Sequence, residues 1–438
     1  MPRIIGDTAL LSAFTPLEAF PSAALAVSGG PDSMALMYLA ARWAALKGRE
    51  RTCIAVLTAD HGLRPESAAE AEFVAGEARK LGFAHATLAW TGEKPKAGIQ
   101  AAAREARYRL MAAYCRQHGI ACLVTAHTED DQAETFLMRL RRGSGLDGLA
   151  AMAPVSERGG LPIVRPLLGL SKARLTAHLR SLGVPFVIDP SNSNTSFERV
   201  RLRHAMKALA AAGIARPALA LSASRLGRGR EALSAIAAEF LERHFRVTSL
   251  AQGQIGLEAF GELAPEIALR VLSRALAPIG GREEPPRLTK VERLLEELRT
   301  GKREAALGGC LVIAAAGVLG FYREPGRMSQ ARQPCQPGST FIWDGRFALT
   351  IAPDLSGDLF VAPLGAQGWA ICRKVLKEQG KSLQANRLAA LASPALWQGQ
   401  RLLSGPAAGF CDANHGATGS VPLRLQLAPC LSHFLIST

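Results

Sequence analysis

The sequence predicts an α/β fold, with a parallel sheet in its N-terminal half, followed by a mainly helical domain and a small α+β domain. Three observations predict it. Short apolar runs alternate with longer helix-like segments from residue 23 to about residue 141, the spacing of parallel βαβ units. The first run breaks at Gly29-Gly30, and a helical pattern follows at once. Polar clusters at 28–33, 60–64 and 127–134 each come just after an apolar run. Open α/β sheets bind ligands at the carboxyl ends of their strands, so the three clusters are expected to line one crevice.

The elements follow in order. Residues 23–27 read as a buried strand and 33–46 as a helix. A second strand, 53–59, ends at Asp60-His61-Gly62-Leu63-Arg64. A helix at 66–81, a weaker strand at 84–90 and an Ala/Arg-rich helix at 98–117 come next. The strand 120–126 feeds His127-Thr128-Glu129-Asp130-Asp131-Gln132-Ala133-Glu134-Thr135, with a helix continuing to residue 141. Glycines at 143, 145, 148, 159 and 160 make 141–166 a loop over the site. A helix at 170–182 precedes the turn Ile188-Asp189-Pro190-Ser191-Asn192. Residues 205–297 have helical spacing, and 310–322 reads as two strands split at Gly317. Prolines and glycines at 324–337 mark a boundary. Beyond it lie strand-like runs at 347–352 and 359–363 and a helix at 369–379. The expected domains are 1–205, 206–330 and 331–438.

Composition bounds the function. The chain has 438 residues, 48% hydrophobic and 20% charged, enough to build cores and too little charge for disorder. Its net charge is +15, which points to a polyanionic partner, most simply nucleic acid. Residues 165–230 hold twelve Lys/Arg against two acids. Among them Arg199, Arg201 and Arg203 alternate: they share a face if the segment is extended and spread if it is helical. Phosphate contacts and a solvated basic face both fit this density. The eight cysteines form no C-x-x-C pair, which leaves zinc, iron–sulfur and thioredoxin-type readings without support. Cys411, Asp412 and His415 fit no common metal spacing and read as a surface turn. The N-terminus shows no secretory pattern. The longest apolar stretch, 311–321, is short of the ~20 residues a membrane span needs. A cytoplasmic, soluble protein is expected.

The chemistry lies in the clusters. In Ser28-Gly29-Gly30-Pro31-Asp32-Ser33 the glycines let a backbone approach a phosphate, and the following helix start points N–H groups at it. Ser28 and Ser33 add hydroxyls, and Asp32 a carboxylate able to hold Mg2+ or orient a donor. No lysine of a Walker A loop is present, nor is the loop G-x-G-x-x-G. Asp131 and Glu134, three apart, share a helix face and suit Mg2+ ligation, amine binding or proton abstraction. Asp130 and Asp131 equally suit a helix N-terminus. His127 could assist proton or phosphate transfer. Arg104 and Arg107 share a helix face, either to neutralise an anion or as part of an exposed Arg/Glu helix.

The loop Ser28–Ser33 resembles that of the PP-loop ATP pyrophosphatases, of adenine nucleotide α-hydrolase-like fold. SGGPDS, ADHGLR, AREARY, TAHTEDDQAET, RRGSGLDGL, RPLLGLSKARL and DPSNSNTSFERVRLR occur in that order between residues 24 and 203. The set resembles the tRNA(Ile)-lysidine synthetase family in its long form. The resemblance implies that ATP adenylates the C2 oxygen of the wobble cytidine of an isoleucine tRNA with anticodon CAU. The ε-amine of free lysine then attacks C2, and AMP leaves. It implies ATP and Mg2+ as cofactors, with Ser28, Gly29, Gly30, Pro31, Asp32 and Ser33 holding the nucleotide and Asp32 its metal. Arg107, His127, Asp131 and Glu134 would engage lysine and the reacting centre. Arg199 or its neighbour Arg201 would gate the site or contact tRNA, with Arg203 beside them. The expected partners are that tRNA and L-lysine, with no membrane; a homodimer is among the expected assemblies. The chain departs from the family at Thr128, where a second histidine is common, and at Val200, where asparagine is frequent. A PP-loop thiolation enzyme is the alternative, and it would ordinarily need a C-x-x-C pair or a catalytic cysteine. A non-catalytic RNA-binding protein on the same fold is the third reading.

Overall fold

A computed structural model describes residues 4–62, 67–92, 94–95, 98–187, 198–282, 284–328, 332–380, 385–411 and 422–432. The chain divides into two compact units, Met1–Arg230 and Glu231–Thr438.

The first unit runs α1 (Asp7–Phe14), β1 (Ala23–Ala26), α2 (Pro31–Leu46), β2 (Ile54–Asp60), α3 (Ser67–Lys80), β3 (Ala84–Ala89), α4 (Ile99–Gln117) and β4 (Cys122–Val124). It continues through α5 (Glu129–Leu140), α6 (Leu146–Leu149), β5 (Val155–Arg158), β6 (Leu161–Val164), α7 (Lys172–Ser181) and α8 (Glu198–Ala211). Helix α9 (Arg216–His244) begins in this unit. The six-stranded sheet has the order β3-β2-β1-β4-β6-β5. Strands β1, β2, β3, β4 and β6 run parallel, and β5 pairs antiparallel to β6. The expected parallel α/β sheet is thus present.

Both faces of the sheet are covered, which is why its central strands read as apolar without alternation. Ala23, Leu25, Ile54, Val56, Cys122 and Val124 pack into one core with α1, α2, α3 and α7. Ala24, Leu57 and Leu123 point the other way, onto Tyr108, Met111 and Cys115 of α4. A fully buried side chain such as Leu25 contributes about 2 kcal/mol. Because β1 lies between β2 and β4, the loops leaving these three strands emerge side by side. The segment expected to be loop, 141–166, instead contributes α6 and the β5–β6 hairpin, turned through Gly159 and Gly160. Arg199, Arg201 and Arg203 lie on a helix, α8, so Arg201 and Arg203 face different ways.

The second unit is largely antiparallel. One five-stranded sheet contains Arg246–Val247, Gly253–Gly256, Glu304–Leu307, Cys310–Ala315 and Val318–Arg323. Another contains Gln333–Cys335, Leu359–Pro363, Pro394–Gln398, Arg401–Gly405 and Phe410–Cys411. A three-stranded sheet joins Thr340–Trp343, Phe347–Ile351 and Leu423–Leu427. The expected boundaries fall differently: residue 205 lies inside α8, and residues before and after the boundary at 330 share one continuous core. That core joins Val312, Leu319 and Phe321 to Trp343, Phe347, Leu396 and Leu431. Asp344 also ties the two sides together, accepting from Arg323 Nε and Nη2 at 3.0 Å each and from Arg346 Nε at 2.7 Å. Of the expected turn at 411–415, Asp412 and His415 lie outside the described residues, and Cys411 is exposed.

Candidate active site

The loop between β1 and α2 is a tight anion cradle. Gly29 sits at φ +82°, a left-handed backbone that glycine adopts without strain. Its carbonyl accepts from the Val187 N–H at 2.9 Å. Gly30 is the N-cap of α2 and Pro31 its first residue, so the ring's fixed φ starts the helix where no N–H is needed. The Ser33 hydroxyl accepts from the Ser28 N–H at 3.1 Å and donates to the Gly30 carbonyl at 2.9 Å. Ser33 therefore holds the loop's shape, while the first-turn N–H groups of α2 remain for a ligand.

Asp32 stands on that first turn. Its Oδ2 accepts from Lys172 Nζ at 3.0 Å, while Oδ1 is buried without a hydrogen-bond partner. Burial pushes its carboxyl above the usual range, and the Lys172 ammonium only partly offsets this. An orphaned buried carboxylate oxygen beside a phosphate cradle suits Mg2+, which commonly takes one or two carboxylates plus substrate phosphates. Among the described residues no cluster of three or more His, Cys, Asp or Glu forms an all-protein metal cage.

The second cluster starts α5. Thr128 caps the helix: its hydroxyl accepts from the Asp131 N–H at 3.4 Å, and Asp131 Oδ2 accepts from the Thr128 N–H at 2.9 Å and hydroxyl at 2.7 Å. This capping box gives the departure from the family at Thr128 a local role. Asp131 Oδ1 meets Lys172 Nζ at 3.2 Å. Burial raises the Asp131 carboxyl, but Lys172 and the two Thr128 donors more than reverse this and hold it below the usual range. Asp130 is bound to the scaffold. Its Oδ2 accepts from the Lys172 N–H at 2.8 Å and its Oδ1 from Arg216 Nη1 at 3.2 Å. Glu134, one turn into the helix, is buried; its Oε1 accepts from Arg203 Nε at 2.6 Å, and its Oε2 has no partner. His127 Nδ1 lies 2.9 Å from the Thr125 hydroxyl.

At the end of β2, Arg107 Nη2 is 3.3 Å from His61 Nε2. A guanidinium only donates, so His61 Nε2 accepts and the proton sits on Nδ1, which is buried and unpartnered. Burial and the Arg107 charge push the His61 imidazole below its usual range, so it is neutral at pH 7. Arg104 stacks over Tyr108 at 5.3 Å, with Arg158 over the same ring at 4.4 Å.

Lys172 joins Asp32 to Asp131, and the Glu134–Arg203 pair lies within electrostatic reach of them. Arg201 is exposed on another face of α8, and the side chain of Arg199 lies outside the described residues. The sequence reading assigned no role to Lys172, His61 or Arg216. Lys172 carried a signal nonetheless. It is the first residue of a Ser171-capped helix, where the positive end of the helix disfavours a cation unless a tertiary partner outweighs it.

The PP-loop domain family matches residues 8–209. A tRNA(Ile)-lysidine synthase of Bradyrhizobium sp. strain BTAi1 is 52% identical over 325 residues, covering 69% of this chain and 90% of that one. The tRNA(Ile)-lysidine synthase of Methylobacterium nodulans is 49% identical, covering 69% and 90%. That of Ruegeria pomeroyi is 39% identical over 390 residues, covering 89% of each chain. The chain belongs to the tRNA(Ile)-lysidine synthase family.

Proposed function

We propose that this chain ligates lysine to C2 of the wobble cytidine of tRNA(Ile) with anticodon CAU, using ATP and releasing AMP and pyrophosphate. The observation that carries the reading is the convergence of a phosphate cradle with two carboxylates that each keep one buried oxygen unpartnered, Asp32 Oδ1 and Glu134 Oε2. Two such atoms match a reaction with two cationic participants, a nucleotide-borne metal and a substrate amine. Ser28–Ser33 take the ATP phosphates, and Asp32 takes the metal. Mg2+, when bound, supplies charge neutralisation of the phosphate oxygens as pyrophosphate leaves.

Glu134 and Asp131 take the lysine side. Free lysine's amine has a pKa of about 10.4 and must be neutral to attack, so a carboxylate serves as anchor for the ammonium and then as proton acceptor. Asp131 already accepts three hydrogen bonds or ion contacts from Thr128 and Lys172, which leaves Glu134 the better placed of the two. Arg203 pairs with Glu134 Oε1, so the ammonium of lysine has the other oxygen to meet. The base must leave its stack to be reached, at a cost of a few kcal/mol that is smaller in a loop. The net charge of +15 supports the RNA partner.

The thiolation alternative finds no support in the thiols nearest the sheet. Burial pushes Cys115 up to about 11 and Cys122 up to about 12, leaving little thiolate at neutral pH. Among the described residues no helix is long and apolar enough to cross a membrane.

The test uses ATP labelled at the α-phosphate. With the CAU transcript and no lysine, label should move onto the tRNA, and lysine should then chase it off as AMP. Label that never reaches the tRNA would overturn the adenylation reading.

A further inference from the structure

Lys172 is the cation at the centre of the site. Its ammonium lies 3.0 Å from Asp32 Oδ2 and 3.2 Å from Asp131 Oδ1, joining carboxylates that follow two different strands. The Lys172 side chain is partly exposed, at 31% against 22% for Asp32 and 9% for Asp131. Asp130 fixes the Lys172 backbone through its N–H at 2.8 Å, while the four-carbon stem above keeps its rotatable bonds. The Asp32 oxygen that Lys172 leaves uncovered, Oδ1, is buried and unpartnered.

We propose that Lys172 is the site's resident cation, occupying the gap between Asp32 and Asp131 until a nucleotide-borne divalent ion displaces it toward the phosphates. This rests on the reading of the site as an ATP-using ligase. Without nucleotide, one ammonium balances two carboxylates, and a free divalent ion entering beside it would meet a like charge at close range. The site therefore binds the metal more weakly alone than together with phosphates, which give the displaced ammonium a new anionic partner. Lys172 is a positioning residue: it bridges and spaces the two carboxylates, then follows the negative charge that arrives.

The probe is Mn2+, followed by the loss of its free-ion EPR signal on titration into the full-length, nucleotide-free chain. Lys172→Met should bind Mn2+ about tenfold more tightly than the wild type, and Lys172→Arg, which keeps a cation, should match the wild type. The double variant Asp32→Asn/Lys172→Met should lose the gain. In the complete reaction, Lys172→Met should need less Mg2+ for half-maximal AMP formation while turning over more slowly, a split that a merely structural lysine would not produce. Equal Mn2+ affinity in the wild type and Lys172→Met overturns the proposal, as does a gain that survives Asp32→Asn. Lys172→Gln serves where Lys172→Met does not fold; failure of both neutral variants to fold would make Lys172 a structural strut and also overturn it. The Mn2+ measurement needs neither tRNA nor lysine, so its outcome is independent of whether lysidine forms.

Discussion

Asp32 and Glu134 are each held by one oxygen and free at the other, yet the partners differ, and so do the expected phenotypes. Asp32→Ala should lower tRNA-dependent AMP formation by ~100-fold or more, by analogy with removal of a preorganised electrostatic group. tRNA affinity should stay within about twofold; equal loss of both would show that the loop does not hold ATP. Glu134→Gln should raise the lysine KM by roughly tenfold or more, the scale of a hydrogen bond to a charged group, with the ATP KM unchanged. A rise in both would place Glu134 on the nucleotide side. At this scale Ser28, Asp32, Asp131 and Glu134 were legible because their types and spacing announce chemistry. Lys172 was not, because its partners lie 140 and 41 positions away in the chain and only the sheet brings them together. Arg203 meets Glu134 for a similar reason: the helical period of α8 turns it and Arg201 to different faces.

At the scale of elements, the start of α5 couples stability to the site. The Thr128–Asp131 capping box holds the helix, and Thr128→Ala should cost about 1 kcal/mol by thermal or denaturant unfolding at pH 7. Asp131 is held below its unfolded value of about 3.9, so its stabilising contribution is present above that pH and fades as pH falls through the folded value. The cost of Thr128→Ala should therefore shrink as pH falls through the folded value; a cost that is independent of pH would separate the cap from the Asp131 charge. Most elements of the first unit were readable, since doubly covered parallel strands are short apolar runs and the intervening helices are long. The β5–β6 hairpin was not. β5 is largely exposed, β6 carries Pro162, and four residues each are too few to show a period among so many glycines.

For the whole molecule, length and charge indicated several domains and an RNA partner, but composition misplaced the later boundary. The proline- and glycine-rich stretch near 324–337 resembles a linker, whereas residues on both sides of it share one core and one buried ion cluster. Asp344→Ala would leave Arg346, which is 1% exposed, without its carboxylate and should destabilise the second unit by about 3 kcal/mol. An unchanged unfolding midpoint would contradict that role. A chain ending at residue 330 should likewise lose cooperative unfolding of this unit, and with it more tRNA affinity than lysine affinity. The basic chain should also bind tRNA with a steep fall in affinity as salt rises, since neutralised phosphates release their counterions.

If a single site uses ATP to join lysine to RNA, the two products must appear together. The most direct test mixes the purified chain with CAU transcript, ATP and radiolabelled lysine, and counts AMP released against lysine incorporated. One AMP per lysine, with neither appearing when the transcript is omitted, is the predicted result. AMP release that continues without lysine incorporation, or no ATP consumption at all, would contradict it.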